Sequence, residues 1–409
     1  MKAMRCVGLI LWSAATLTAS SMPGSPSQLT LEQALHLANQ QNLDVIAARE
    51  GRAVARAGVI TASERLNPSF NFTVLRDTPH EGFWFTQPIE LGGKRAHRIQ
   101  VAQRQEGVTE ESIAAMELQV RQAARQAYYN LSLAQAQAAE LADAERLAER
   151  LATIAQERYQ AGDAAELEVM QAQLGVAQAR ANLEVAQKQE KVALSQLNAL
   201  LDEPAEKPWE LTTPLKELPP AVTLPELIQK AYHASPLIQT YERQLQVERS
   251  RETLYKADRV PNLDLDYGVD FNSPGPGGFR QGPRSQISVM LPLFNRYQGQ
   301  IAQSLANQQV LEDQIAAARR TVAGNVETSY LMLTSQETKV NLYENKLVPA
   351  SSQLERMAEE SYRAGKTDIL AVLTAQQNDQ TIQQQYLQSL YTAQAAFASL
   401  EGAVGTPLH

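Results

Sequence analysis

Asn262-Leu263-Asp264-Leu265-Asp266-Tyr267-Gly268-Val269-Asp270-Phe271 alternates apolar and polar residues without interruption, which predicts a strand with one oily face and one acidic face. Its length is that of a tilted strand crossing an outer membrane. An antiparallel partner is expected from Ser285 to Leu291, where Ile287, Val289 and Leu291 share a face, and Ser273-Pro274-Gly275-Pro276-Gly277-Gly278 reads as the connecting loop. An earlier hairpin has the same pattern: Phe70, Phe72 and Val74 alternate in one strand, and Phe83 to Ile89 forms the other. Seven of the eight phenylalanines (Phe70, Phe72, Phe83, Phe85, Phe271, Phe279, Phe294) fall in or beside these hairpins, as the aromatic girdles of a membrane β-barrel require. The strands are placed at about 68–75, 83–89, 262–271 and 285–291. Phe70, Phe72, Leu263, Leu265, Tyr267, Val269, Ile287 and Val289 are assigned to lipid. Asp264, Asp266 and Asp270 are assigned to a lumen, where they would favour cations or simply keep it wet. A pair of soluble hairpins packed on helices is the alternative. Four strands cannot close around a lumen, and an open sheet edge is not tolerated in lipid. Several chains must therefore share one barrel, and three would give twelve strands.

The two hairpins belong to a duplication. Leu31, Ala38 and Asn67-Pro68 return as Leu224, Ala231 and Val260-Pro261, at an offset of 193. Gln87-Pro88-Ile89 returns as Leu291-Pro292-Leu293 at 204, and Tyr159, Ala161, Gly162, Leu167 and Val169 return as Tyr362, Ala364, Gly365, Leu370 and Val372 at 203. Two copies of one structural unit point to a scaffold or conduit rather than to a catalyst.

Between Pro88 and Pro204 there is no proline, and Leu141, Ala144, Ala148, Leu151 and Ala155 form a helical stripe, as do Leu167, Met170, Leu174, Ala177 and Ala181. With a break at Ala161-Gly162-Asp163, these predict helices at about 96–160 and 164–201, the first on the order of 95 Å long. The second copy predicts helices at about 299–363 and 368–404, turning at Ala364-Gly365-Lys366, with Pro349 expected to break or kink the first of them. Abundant alanine suits coiled-coil packing in a curved wall.

Lys2 and Arg5, the apolar run from Val7 to about Leu17 and the small residues Thr18 to Ser21 predict a signal peptide at 1–20; the run is short for a membrane anchor. Cys6, the one cysteine, precedes that run, so neither a lipidated mature end nor a disulfide is expected. Loss of Lys2 and Arg5 takes the formal charge from -8 to -10, which argues against a nucleic-acid partner. The expected layout is a first repeat at 21–201, a linker at 202–223 rich in proline (Pro204, Pro208, Pro214, Pro219, Pro220), a second repeat at 224–404 and a tail at 405–409. No later stretch is long and apolar enough for a membrane helix, so entry into a membrane would be as β-strands.

Gln87-Pro88-Ile89-Glu90-Leu91-Gly92-Gly93-Lys94-Arg95, the tips Tyr159-Gln160-Ala161-Gly162 and Tyr362-Arg363-Ala364-Gly365, and the paired helix starts at Leu31 and Leu224 resemble those of TolC-type outer-membrane efflux proteins. Within these, the chain is most similar to the CzcC and CusC heavy-metal branch. The resemblance covers essentially the whole mature chain. It implies a mainly α fold with a membrane β-barrel portion: a homotrimer with a 12-stranded barrel in the outer membrane of a Gram-negative bacterium, continued through the periplasm by a 12-helix α-barrel. It implies a mixed collar built partly from the linker. It further implies that the tips meet a periplasmic adaptor, itself bound to an inner-membrane RND-type pump that supplies the energy, so that no cofactor is needed. The family's entrance aspartates correspond here to Ala371 and Thr374; Glu166, Glu168 and Asp368 could supply a ring of charge instead, or form a solvated helix face.

Pro88, Gly92, Gly93, Lys94, Arg95 and Pro292 mark the strand–helix junctions. Gly92-Gly93-Lys94-Arg95 fails as a phosphate-binding loop, since Pro88 holds the leading glycine position and Arg95 that of serine or threonine. Lys94, Arg95 and Arg98 read either as neighbours of lipid phosphates or as a turn with solvated charge. His36, His80, His97, His233 and His409 never occur at metal-ligand spacing, and no arrangement suggests a catalytic triad. The expected function is a passive export duct; multidrug, solvent or type I secretion ducts of the same fold, and a secreted coiled-coil structural protein without a pore, are the alternatives.

Overall fold

The computed structural model describes residues 27–76, 81–216, 223–271 and 281–408. The expected signal segment 1–20 with Cys6, His80, the linker prolines Pro219 and Pro220, the loop Ser273 to Gly278 with Phe279, and His409 lie outside the described residues.

In chain order the first repeat comprises β1 (Ser27–Leu29), α1 (Leu31–Gln41), α2 (Leu43–Ser63), β2 (Ser69–Val74), β3 (Glu81–Ile89), α3 (Lys94–Ala161) and α4 (Glu166–Leu200). After β4 (Trp209–Leu211), the second repeat runs through α5 (Leu224–Ala234), α6 (Pro236–Asp258), β5 (Leu263–Phe271), β6 (Gln281–Val289), α7 (Gln298–Leu342), a π-helical turn (Tyr343–Leu347), α8 (Val348–Arg363) and α9 (Ile369–Val404). The start of α1 is fixed by a capping box, in which Thr30 accepts from the Gln33 amide while the Gln33 side chain accepts from the Thr30 amide. Its counterpart α5 is started by a proline in its first turn instead. At 68 residues, α3 is about 100 Å long. Among the described residues no helix is long and apolar enough to cross a membrane.

The second repeat departs from the first where Pro349 falls. Lacking an N–H, Pro349 cannot donate to the Asn345 carbonyl, and its ring crowds that oxygen. The chain answers with the wide turn at Tyr343–Leu347, in which the Val348 amide reaches back to the Tyr343 carbonyl. Helix continues beyond it, so the single helix expected at 299–363 is two helices joined by a π turn.

The four long strands form one antiparallel sheet in the order β2-β3-β5-β6. β6 begins at Gln281, earlier than expected, and stops at Val289 rather than Leu291; β3 likewise begins at Glu81 rather than Phe83. At the far side of the helix–strand junction from the sheet, the segment after α4 forms β4, which pairs in parallel with β1. Trp209 is buried there and donates its indole N–H to Asn198 Oδ1 at 2.6 Å. This pair of strands packs against the largest core, in which Tyr128, Leu131, Leu197 and Leu201 are fully enclosed. A second core joins α5, α7 and α9, and a third lies at the helical tips.

Candidate functional site

Four places carry non-generic chemistry among the described residues: the sheet, the strand–helix junction, the helical tips and a group of acids above the tips. On one face of the sheet Phe70, Phe72, Val74, Phe83, Phe85, Leu265, Tyr267, Ile287 and Val289 are exposed, with Leu263 and Val269 half-buried beside them. Phe83 gathers its neighbours into an aromatic cluster, 4.7 Å from Phe72, 5.9 Å from Phe70 and 5.7 Å from Phe271 between ring centroids. The opposite face is hydrogen-bonded. Asp266 accepts from the Thr86 hydroxyl at 2.5 Å and the Ser288 hydroxyl at 3.1 Å, and Arg284 holds Asp270 at 2.7 Å. Asp270 therefore brings a compensating cation with it. Trp84, unremarked in the sequence, shares this polar face and lies across two glycines. A Cβ at Gly268 would stand 2.9 Å from Trp84 ring carbons, and one at Gly82 3.2 Å from its indole nitrogen.

At the junction, Gly92 and Gly93 both take left-handed conformations with φ of 72°, which glycine adopts without a Cβ penalty. They turn β3 into α3. The basic residues that follow bond to the protein itself. Lys94 is buried and donates to Asn262 Oδ1 at 2.6 Å; Arg98 pairs with Glu90 at 2.6 Å and donates to the Ala62 and Glu64 carbonyls; Arg95 donates to the Ser63 carbonyl at 2.5 Å while remaining exposed. These cations tie the end of α2, the start of α3 and the start of β5 into one block. Pro88 sits opposite Asp264 in the ladder, and Pro292 lies just past β6.

At the tips, Gly162 and Gly365 again have positive φ, 83° and 69°, and close the α3–α4 and α8–α9 turns. Tyr159, Gln160, Ala161 and Gly162 are exposed, as are Arg363, Ala364 and Gly365. Tyr362 is the exception: it is fully buried. The Arg158 guanidinium lies 4.6 Å from its ring centroid, and its hydroxyl donates to Glu168 Oε2 at 3.0 Å. Burial, then the Glu168 contact, pushes the Tyr362 hydroxyl up to about 12. Arg158 also donates to the Tyr362 and Asp163 carbonyls, so it is the hub joining the two tips; no feature of the sequence singles it out. Of the acids expected at the entrance, Glu168 is committed to this network and Asp368 caps α9 by accepting from the Ala371 amide at 3.0 Å. Glu166 remains exposed in the first turn of α4.

Above the tips lies a group of acids that sequence spacing does not reveal. Asp379 on α9 is buried and accepts from the Ser351 and Ser352 hydroxyls at 2.6 and 2.9 Å. It faces Glu355 on α8 and Glu140 on α3. Burial first, then Asp379, Glu140 and Glu359, raise the Glu355 carboxyl to about 7, with Arg150 acting the other way; Glu140 is raised by burial and Asp379. A raised carboxyl pKa stabilises the folded state most when protonated, so this contribution is complete below about 4.5 and is lost as pH rises through about 7. Amide exchange in α8 is therefore expected to slow as pH drops from 8 to 5 after correction for intrinsic rates, and Glu355→Gln should flatten that dependence. An unchanged profile in the variant would remove Glu355 as its source. Among the described residues, no group of three or more His, Cys, Asp or Glu could hold a metal ion.

The sequence profile of the family described as "Outer membrane efflux protein" matches residues 34–203 and again 227–406, one match per repeat. The cobalt-zinc-cadmium resistance protein CzcC of Cupriavidus metallidurans is 26% identical over 354 residues, covering 85% of this chain and 83% of that protein. The pyoverdine export outer membrane protein OpmQ of Pseudomonas aeruginosa is 25% identical, covering 63% of this chain and 54% of its own length. Among solved structures, that of CusC, described in connection with transmembrane channel formation, has a TM-score of 0.71 at 18% identity over 92% of both chains. With both repeats matched over most of their length, the chain belongs to the outer membrane efflux protein family: it is an efflux channel protein of the outer membrane with a large helical periplasmic part.

Proposed function

We propose that three copies close a twelve-stranded barrel from the four-stranded sheet of each, and that their long helices continue it as a twelve-helix duct through the periplasm. The carrying observation is the sheet itself: an exposed apolar face, a hydrogen-bonded polar face and, among the described residues, two unpaired edges. In lipid that arrangement is stable only when the edges are closed. The apolar face meets lipid, and Asp264, Asp266 and Asp270 face the lumen, with Arg284 offsetting Asp270. The duct is passive and performs no covalent chemistry. Its tips, through Tyr159, Gln160, Ala161, Gly162, Arg363, Ala364 and Gly365, meet a periplasmic adaptor that joins an inner-membrane RND-type pump. Tyr362 acts there by packing rather than by contact.

The likeness to CzcC supports divalent metal cations as cargo. Loss of the chain is expected to sensitise cells to cobalt, zinc or cadmium; sensitivity only to organic compounds would favour small organic cargo, which the likeness to OpmQ supports. The barrel assignment has a more direct test. Leu265→Arg places a charge on the lipid face, costing about 2–4 kcal/mol near the bilayer midplane, and should deplete the trimer from outer-membrane fractions. Asp266→Asn should assemble normally and lower cation-over-anion selectivity in planar bilayers. Equal tolerance of both changes, measured by native mass and conductance, would overturn the facing of the sheet.

A further inference from the structure

The structure contains its own template for the missing contact between copies. The two hairpins share one register: the repeat offsets of 193 and 204 carry Phe70↔Phe85, Phe72↔Phe83 and Val74↔Glu81 onto Leu263↔Val289, Leu265↔Ile287 and Tyr267↔Ser285, and all three are observed pairs. Between the hairpins, β3 pairs with β5 through Phe85↔Tyr267, Gln87↔Leu265 and Ile89↔Leu263. The chemically equivalent edges left over are β6, the counterpart of β3, and β2, the counterpart of β5.

We propose that β6 of one protomer pairs antiparallel with β2 of the next in the register that the same offsets dictate: Val289 opposite Val74 of the partner subunit, Leu291 opposite Phe72 of the partner subunit, and Leu293 opposite Phe70 of the partner subunit. This rests on the shared-barrel reading above and adds to it the register and the residues that make the seam. Three observations converge on it. The three pairs place apolar residues together on the lipid side; the same offsets set Ile287 opposite Arg76 of the partner subunit, just beyond the end of β2 at Val74. Those side chains are strongly exposed in the single chain: Leu291 63%, Leu293 62%, Phe72 53% and Phe70 67%. And β6 stops at Val289, whereas its counterpart β3 continues through Pro88 and Ile89, because β5 is there to pair with them. Met290 to Leu293 thus lie past the end of β6, where the Leu293 amide turns back onto the Leu291 carbonyl at 2.9 Å, a local bond that ladder pairing with the neighbour replaces. A one-residue slip would turn the apolar set of one strand into the lumen, and a two-residue slip would break the equivalence with β3–β5.

The test is cysteine cross-linking across the seam, in a Cys6→Ser background that leaves no native thiol. Directly opposed residues on neighbouring antiparallel strands have Cβ atoms about 4.5–5.5 Å apart, within reach of a short bis-methanethiosulfonate. Leu291→Cys combined with Phe72→Cys should convert most of the protein in native membranes to covalent dimers and trimers. Leu293→Cys combined with Phe72→Cys, displaced by two residues, should give several-fold less. The single-cysteine variants establish that assembly survives each change. A native trimer in which the displaced pair cross-links better, or neither pair does, overturns the register while leaving the shared barrel standing. A monomeric native mass for the unmodified chain overturns both.

Discussion

Gly268→Val is expected to abolish insertion of the protein into the outer membrane. A Cβ at this position would stand 2.4 Å from the Phe83 carbonyl oxygen and 2.9 Å from two ring carbons of Trp84. Trp84 could swing aside, but the carbonyl belongs to the strand that pairs with β5, where Trp84 and Gly268 are register partners. Relief therefore requires separating two central strands of the sheet. Overpacking typically costs about 1–3 kcal/mol, and a collision with backbone lies at or beyond the top of that range. Because Trp84 is only part of the obstruction, Trp84→Ala should rescue Gly268→Ala partially and Gly268→Val hardly at all. The readout is the amount of native trimer in outer-membrane fractions; normal levels of Gly268→Val would show that the two strands can part without loss.

Arg125→Ala is the second change with a large expected effect. Arg125 on α3 and Glu401 on α9 meet at 3.1 Å, each with a side chain only 5% exposed. Arg125 also lies 5.0 Å from the Phe397 ring centroid. Burial draws its guanidinium below the usual range even with Glu401 alongside, so the pair does not fully recover its cost of desolvation. Removing one partner strands the other charge in the core, at a cost of about 3–5 kcal/mol. Replacing both, as Arg125→Met with Glu401→Leu, should lose less than half as much. Some loss remains because Glu401 also accepts from the Leu408 amide at 3.1 Å and so holds down the C-terminal segment, a bond whose removal costs about 1 kcal/mol. Denaturation midpoints of the detergent-extracted protein separate these outcomes; equal loss in the single and double variants would mean that the pair stabilises by attraction rather than by avoiding an orphaned charge.

The fold class was legible because its signals are local and periodic. The alternation from Asn262 to Phe271 and the stripes on α3 and α4 depend on neighbours within a few residues, and the duplication states each of them twice. What stayed hidden depends on contacts between distant segments. Tyr159 and Tyr362 occupy equivalent places in the repeats, yet one is 42% exposed and the other fully buried, because Arg158 and Glu168 cross to the second tip alone. Lys94 reads as a surface cation until Asn262, 168 residues away, receives it. The acids around Asp379 come from three helices and have no spacing in the sequence at all. Pro349 foretold a disturbance, but not that the helix would absorb it in a wide turn whose onset is at Tyr343.

That wide turn makes the two halves of each protomer unequal below it. In α3 the backbone keeps one helical phase from Lys94 to Ala161, whereas every residue after Leu347 is rotated about the axis of its helix relative to an unbroken run. In the proposed ring of three such protomers, the lower end would not present six identical grooves. It would present two kinds in alternation, three of each, so a partner docking there should give a two-class binding curve: three places fill first, and any further three fill with a different affinity.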